Sequence, residues 1–491
     1  MKQAFPVTRC YVGTRSQPCS CSLCVLSALC GKKRRVTNLR RLFGTDGIRS
    51  VAGEYPLDQA TIFAVGRALG DHLPSGPRRV VIGQDTRESS AWIAGVLSAG
   101  LRQAGVEVKS AGVITTPGVA YVTHTRDFSA GVVISASHNP WQDNGIKVFG
   151  GDGYKLPDAT ELEIETEIFS LLNSSSKDDA AASANAAVTE DPSLRSAYIN
   201  WLAAHPIPRA EKLKAVVDCA NGAVSAIAPE VFRRCGLQAE YTHSSPNGRN
   251  INENCGALHP EVVAREVVAR KADLGICFDG DADRALFADA AGTIVNGDAV
   301  MLLLAQELKS RNELAHDTVV ATTMSNMGLE IALRASGITM LRAPVGDKYV
   351  LEVMQKTGAV LGGEQSGHII LSREATTGDG LLTALRVLQV VCRSGKSLAE
   401  LVSSLKVFPQ TIKNVHVREK RPLEQIPEVM AAIRQAEGEL NGDGRINVRY
   451  SGTEALARVM VEAADEATVH RLANRIAAAL EAALGTGVVS A

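Results

Sequence analysis

Three stretches of the chain repeat one alternation of apolar and polar positions. Each opens on a short Val-rich run: Arg79-Val80-Val81-Ile82, Lys214-Ala215-Val216-Val217 and Thr318-Val319-Val320. Runs of this kind, bounded by polar turns, predict buried strands. An amphipathic stretch follows each and ends near a glycine (Gly105, Gly236, Gly337), the residue suited to the left-handed position after a helix. A second strand comes next (Val106-Glu107-Val108, Leu237-Gln238-Ala239-Glu240, Ile338-Thr339-Met340) and runs to a proline (Pro117, Pro246, Pro344). Another helical stretch leads to a third strand. Strands alternating with helices imply parallel sheets under helical cover, so three copies predict three similar α/β domains with mixed or parallel sheets. From about Thr411 the pattern changes. Val415-His416-Val417 and Ile446-Asn447-Val448 alternate among helices predicted at 425–440 and 465–484, which predicts a smaller C-terminal α+β domain.

In sheets of this kind ligands sit beyond the carboxyl ends of the strands. The segment after the third strand of each copy is therefore the place to look. In the first copy it is Ser135-Ala136-Ser137-His138-Asn139-Pro140, in the second Asp279-Gly280-Asp281-Ala282-Asp283-Arg284, in the third Gly362-Gly363-Glu364-Gln365-Ser366-Gly367-His368. Asp279, Asp281 and Asp283 alternate, and residues two apart on an extended segment point the same way. Three converging carboxylates call for a hard divalent cation, Mg²⁺ or Ca²⁺; the spacing does not fit an EF-hand, since Arg284 and Ala290 stand where Gly and Glu are needed. Ser137 is a candidate nucleophile, although a hydroxyl needs activation. His138 adjoins it, yet neighbouring side chains on an extended segment diverge, and no Ser-His-Asp arrangement is evident. Glu364, Ser366 and His368 suit hydrogen bonds to sugar hydroxyls. In the last domain Arg449, Ser451, Gly452 and Thr453, with Arg458 close by, compose an anion site. Arg49, in Phe43-Gly44-Thr45-Asp46-Gly47-Ile48-Arg49, and Lys147 add cations that face a substrate or simply the solvent.

Composition narrows the classes. The formal net charge of −1 over 491 residues gives no global basic field and argues against nucleic acid. No apolar run is long enough for a membrane span, and the short one at Ser22 to Cys30 precedes the basic Lys32-Lys33-Arg34-Arg35 cluster, the reverse of a secretory signal. Five of the ten cysteines lie in the first thirty residues and the rest are scattered, which predicts a reducing, cytoplasmic setting. Cys19-x-Cys21-x-x-Cys24 is either a soft-metal site or part of an extension without regular structure.

Taken together, these loops resemble the α-D-phosphohexomutase family from about Leu42 to about Glu462. The resemblance implies four domains around a central cleft. Their expected bounds are 39–193 (phosphoserine), 194–297 (metal), 298–408 (sugar) and 409–491 (phosphate), behind a disordered or non-native extension at 1–38. It implies that Ser137 is the phosphorylated serine and that one Mg²⁺ binds Asp279, Asp281, Asp283 and a phosphoserine oxygen. Glu364 and Ser366 are implied as sugar contacts, and Arg449, Ser451, Gly452, Thr453 and Arg458 as the grip on the distal phosphate. Arg49, His138, Lys147, Arg284 and His368 are carried as helpers. Gln365 and the stretch Thr376-Thr377-Gly378-Asp379-Gly380 are similar to glucosamine-type members. The expected reaction interconverts glucosamine 6-phosphate and glucosamine 1-phosphate, with glucosamine 1,6-bisphosphate as intermediate and activator, and feeds UDP-N-acetylglucosamine and cell-wall synthesis. Phosphomannomutase or phosphoglucomutase activity is the alternative, and a metal-dependent sugar phosphatase the next. The partner is a small sugar phosphate, with an activating kinase allowed for and oligomeric state left open. Ala282 stands where many members have Gly, Ser50 where Gly is usual, Ala455 where Pro is common, and Pro344 where some have a base; the general base is left unassigned.

Overall fold

The computed structural model describes residues 42–44, 46–74, 76, 78–174, 188–451 and 455–485. The expected extension at 1–38 with its cysteine cluster, and Gly452 and Thr453, lie outside these residues. The first sheet holds β1 (Ile48–Val51), β2 (Arg79–Gln84), β3 (Glu107–Val113), β4 (Ala130–Ile134) and β5 (Asp143–Gly150), in the order β1-β5-β4-β2-β3. The second holds β6 (Lys214–Asp218), β7 (Gln238–Thr242), β8 (Leu274–Phe278), β9 (Ala285–Asp289) and β10 (Ile294–Val295), in the order β10-β9-β8-β6-β7. The third has β11 (Thr318–Thr322), β12 (Thr339–Ala343), β13 (Leu361–Gly363) and β14 (Ile369–Leu371), ordered β12-β11-β13-β14. The last is antiparallel: β15 (Gln410–His416), β16 (Gly444–Tyr450) and β17 (Leu456–Ala463), ordered β15-β17-β16.

The first three sheets share one plan. Three parallel strands (β3-β2-β4, β7-β6-β8, β12-β11-β13) are followed by an antiparallel return (β5, β9, β14). The α/β fold class with a smaller α+β end is as the pattern predicts. What the apolar period does not reveal is the returning strand: each of the three polar loops joins a parallel strand to its antiparallel neighbour, so it is pinned at both ends.

Local chemistry sets the helices. Thr115 caps Thr116–Thr125 by accepting from the Gly118 amide, and Pro117 fits the first turn, where its missing N–H is no loss. The strand before it ends at Val113, so this proline opens a helix rather than closing a strand. Gly105, Gly236 and Gly337 all have positive φ (75°, 85° and 69°). One continuous apolar core joins the first three sheets, with Val81, Val133, Val217, Phe278, Val319 and Leu361 all buried. Each such side chain contributes roughly 1.5–3 kcal/mol on burial, which couples these sheets into one framework. The last sheet packs its own core, including Val415, Val459 and Leu472. Polar bonds tie it on: Arg445 donates to the carbonyls of Thr323 and Ser325 at 2.7 and 3.0 Å, and Glu462 accepts from the Met327 amide at 3.2 Å.

Candidate active site

Ser137 lies three residues past β4 in a left-handed conformation (φ 54°) that L-residues rarely adopt. The surroundings hold it there. Arg87, buried against Asp85 at 2.8 Å, donates to the carbonyls of Ser137 and Asn139 at 3.0 and 2.9 Å. Asn252 of the second domain donates to the Ser137 carbonyl at 2.9 Å. Ser135 Oγ accepts from the Ser137 amide at 3.0 Å and donates to Asp85 at 2.6 Å. These bonds offset a strain of order 1–3 kcal/mol. The turn aims Ser137 Oγ at Asp279, to which it donates at 2.5 Å, and leaves it 3.3 Å from His138 Nδ1. The divergence expected of an extended Ser-His pair is thus corrected: the left-handed turn brings the two together.

The three aspartates converge by a related device. The loop from Asp279 to Arg284 is a turn with Ala282 at φ 53°, not an extended segment as the alternation suggests. Small Ala accepts there a left-handed conformation that favours Gly. Carboxylate oxygens of Asp279, Asp281 and Asp283 all lie within 4.8 Å of one another, and all three residues are buried. Buried Lys147 faces them, its Nζ 2.8 Å from Asp281, 3.5 Å from Asp283 and 3.0 Å from Asp46. Burial and the flanking Asp283 and Asp281 push Asp279 well above the ordinary carboxyl range. Asp283 is held well below it, against burial, by Lys147, His368 and Arg284. Oδ1 of Asp281 and Oδ1 of Asp283 are buried and make no hydrogen bond among the described residues. Buried acceptors left unsatisfied are costly. An all-oxygen donor set with two unused oxygens fits a hard divalent cation.

Against burial, the carboxylates of Asp281, Asp46 and Asp283 hold Lys147 charged. Lys147→Met strips this counter-charge, and breaking such a buried pair costs about 3–5 kcal/mol. The loss of melting temperature should be larger in chelator than in millimolar Mg²⁺, which replaces the missing charge. Equal losses in both buffers contradict this role for Lys147.

The third loop closes the site. Glu364 accepts from the Gly346 amide at 3.0 Å, and Ser366 Oγ lies 3.4 Å from the same carboxylate. His368 Nε2 accepts from the Gly378 amide at 3.1 Å, which leaves Nδ1 to carry a proton towards Asp283, 3.7 Å away. A cleft of about 410 Å³ is lined by Arg49, His138, Asp283, Arg284, Glu364 and His368, among others. Residues from three domains therefore line one cleft, with His138 on its wall and Ser137 buried next to it in the chain. Sequence reasoning passed over several supports: Arg87, Asn252, and Lys155, which bridges Asp46 and Asp347 (2.6 Å to the latter). Asp46 stood inside a loop already singled out, and its clustering with Gly and Arg was a usable signal. The others offered none, because their partners lie far away in sequence.

His138 is held neutral. Burial, with Arg284 and Arg49 nearby, lowers its pKa to about 4. A histidine depressed in the folded state takes its proton first when unfolded. Its contribution is whole above the unfolded value near 6.5 and is lost as pH falls towards about 4. Thermal melts in chelator should thus show wild type losing more stability than His138→Gln between pH 6.5 and 4; parallel curves contradict the assignment.

The fourth domain's residues form a separate group. Arg449 and Arg458 face each other across β16 and β17. Like charges directly opposite repel, and burial together with Arg458 lowers the Arg449 pKa. Buried Ser451 sits at the end of β16, and its carbonyl accepts from Lys420 Nζ at 2.7 Å. Such a cluster invites an anion. None of these described residues lines the cleft that holds His138, Arg284 and Glu364.

Comparison with known proteins shows the same division. Family models described as phosphoglucomutase/phosphomannomutase match in four parts: α/β/α domain I at residues 40–174, domain II at 196–292, domain III at 296–408 and the C-terminal domain at 412–479. The phosphoglucosamine mutase of Koribacter versatilis is 60% identical over 91% of this chain and 98% of its own length. That of Solibacter usitatus is 50% identical over 90% and 99%. Among solved structures, a phosphoglucomutase/phosphomannomutase family protein from Burkholderia thailandensis superposes with a TM-score of 0.74 at 24% identity, covering 89% of this chain and 97% of that one. Aspergillus fumigatus N-acetylphosphoglucosamine mutase, in complex with GlcNAc-6P and magnesium, gives 0.62 at 19%, covering 90% and 96%. Among the described residues, no helix is long and apolar enough to cross a membrane. The chain belongs to the α-D-phosphohexomutase family and is a phosphosugar mutase.

Proposed function

We propose that this chain interconverts glucosamine 6-phosphate and glucosamine 1-phosphate, with Ser137 as the carrier of the phosphoryl group. The observation that carries the chemistry is Ser137 Oγ seated 2.5 Å from Asp279 in a buried three-carboxylate cluster at the cleft. The sugar assignment rests on the 60% identical relative named phosphoglucosamine mutase. Asp279, Asp281, Asp283 and a Ser137 oxygen would hold one Mg²⁺, whose contribution is to draw negative charge from the transferring phosphoryl group. Arg49 and Arg284 offer the substrate phosphate further positive charge from the cleft wall. The phosphoryl group leaves Ser137 Oγ for O1 of glucosamine 6-phosphate. The 1,6-bisphosphate turns end for end, and its 6-phosphoryl group returns to Oγ, releasing glucosamine 1-phosphate. Neutral His138 is able to take a proton beside Oγ, whereas Lys147 is held charged and serves as counter-charge. Glu364, Ser366 and His368 orient the sugar ring.

Domains bounded near 39–193, 194–297, 298–408 and 409–491 divide these tasks. Arg449, Ser451, Gly452, Thr453 and Arg458 grip the phosphate that is not reacting. Arg449→Ala should raise KM, since a charged hydrogen bond contributes about 1.5–3 kcal/mol, and should release more bisphosphate into solution. Unchanged KM without leakage contradicts this grip. A cytoplasmic setting and first loading by a kinase or by bisphosphate belong to the same reading. Relative kcat/KM on the 6-phosphates of glucosamine, glucose and mannose tests it. Glucosamine should lead; preference for mannose or glucose, or steady release of inorganic phosphate, overturns it.

A further inference from the structure

A second cluster lies at the carboxyl ends of β6 and β7, apart from the aspartate loop. Asp218 ends β6, His243 follows β7, and Cys255 precedes a short turn of helix at Gly256–Leu258. One nitrogen, one oxygen and one sulfur of these residues lie within 4.8 Å of one another. His243 Nδ1 is 3.1 Å from Asp218 Oδ2, a contact with the carboxylate that raises the His243 pKa. Two ligands on one tetrahedral cation, with bonds of about 2.0–2.2 Å, stand roughly 3.3 Å apart, so this pair already has that spacing. The carboxylate is fixed from behind: Oδ1 accepts from the Ala220 amide at 2.9 Å and Oδ2 from the Gly256 amide at 3.0 Å. Supports of this kind are what orient metal ligands. His243 keeps a third of its side chain exposed, which opens a fourth position to water.

We propose that Asp218, His243 and Cys255 form a second metal site, for a borderline-soft divalent cation of the zinc class. The mixed N, O, S donor set distinguishes it from the all-oxygen aspartate loop, so the two sites sort cations by softness. Burial keeps the Cys255 thiol protonated, its pKa pushed up to about 12, and a bound cation displaces that proton. The site also touches function. His243 and Cys255 bracket Asn252, which donates to the carbonyls of Ser137 and Asn139 at 2.9 and 3.1 Å. A cation joining the two ends of this segment steadies the support beneath the serine.

The test uses the full chain with Mg²⁺ in excess and Co²⁺ as probe. One Co²⁺ per chain should bind with a thiolate-to-cobalt absorption band that Zn²⁺ abolishes by displacement. The band should vanish in Cys255→Ser and weaken at least tenfold in His243→Asn, whose partly exposed position does not endanger folding. It should persist when Cys19, Cys21 and Cys24 are all replaced by Ser. No band in the wild type, a band unchanged in His243→Asn, or one lost with the three N-terminal cysteines overturns the site.

Discussion

Ser137→Ala should lower mutase turnover by roughly a thousandfold or more and leave the fold intact. The magnitude follows from the proposed role, in which Ser137 Oγ carries the phosphoryl group and its loss removes the covalent step. The intact fold follows from the surroundings. The bonds that hold the left-handed turn come from Arg87, Asn252 and Ser135 to the backbone of residue 137, and none uses its hydroxyl. Alanine accepts φ 54° about as poorly as serine does, so the substitution adds little strain. What is lost inside is the hydrogen bond to Asp279, of about 1.5–3 kcal/mol for a charged acceptor, and the weaker 3.3 Å contact with His138 Nδ1. Circular dichroism and melting temperature check the fold, and a coupled assay checks turnover. Activity within tenfold of wild type removes Ser137 from the mechanism.

Asp281→Asn and exhaustive chelation should produce the second large effect. Asp281 holds Lys147 and Thr116 through Oδ2, while its buried Oδ1 has no hydrogen-bond partner among the described residues. The amide keeps the volume, removes the charge and puts either an N–H₂ or a neutral oxygen where Oδ1 stands. Outer-shell changes at metal sites already cost about 10–100-fold in affinity or activity, so loss of a ligand should cost at least that. Chelator should silence the wild type and Mg²⁺ restore it. Asp281→Asn should require a much higher Mg²⁺ concentration for half-maximal rate and reach a lower kcat. A variant with wild-type Mg²⁺ dependence, or turnover that survives chelation, makes the three carboxylates structural.

Much of this was legible in the chain. The three-fold repeat announced its own strands because buried parallel strands read as continuous apolar runs, and the polar loops after them stood out against that background. That Asp279, Asp281 and Asp283 come together was legible from residue type and spacing. Their geometry was not. Apolar period reports burial and says nothing about the hand of the backbone at a non-glycine residue, so the left-handed turns at Ser137 and Ala282 were invisible. The supports were invisible for a different reason. Ser137 and Asp279 are 142 positions apart, and Lys155 and Asp347 are 192 apart. Such pairs meet only once separate sheets have packed, and a single sequence carries no record of that meeting. The antiparallel returns β5, β9 and β14 were hidden as well, because Asp143–Gly150 and Ile369–Leu371 come after loops whose polar residues break the pattern.

The most direct test of the phosphoserine is a single-turnover chase. Full-length protein is loaded with labelled phosphoryl from a hexose 1,6-bisphosphate, freed of small molecules, and mixed with unlabelled glucosamine 6-phosphate in Mg²⁺. Rapid quenching and peptide mapping then track the label. The account predicts label on the peptide containing Ser137 before mixing. It should move through the sugar bisphosphate into glucosamine 1-phosphate at a rate no slower than kcat, with little appearing as inorganic phosphate. Label that stays on Ser137 while product forms, or that sits on another residue throughout, contradicts it.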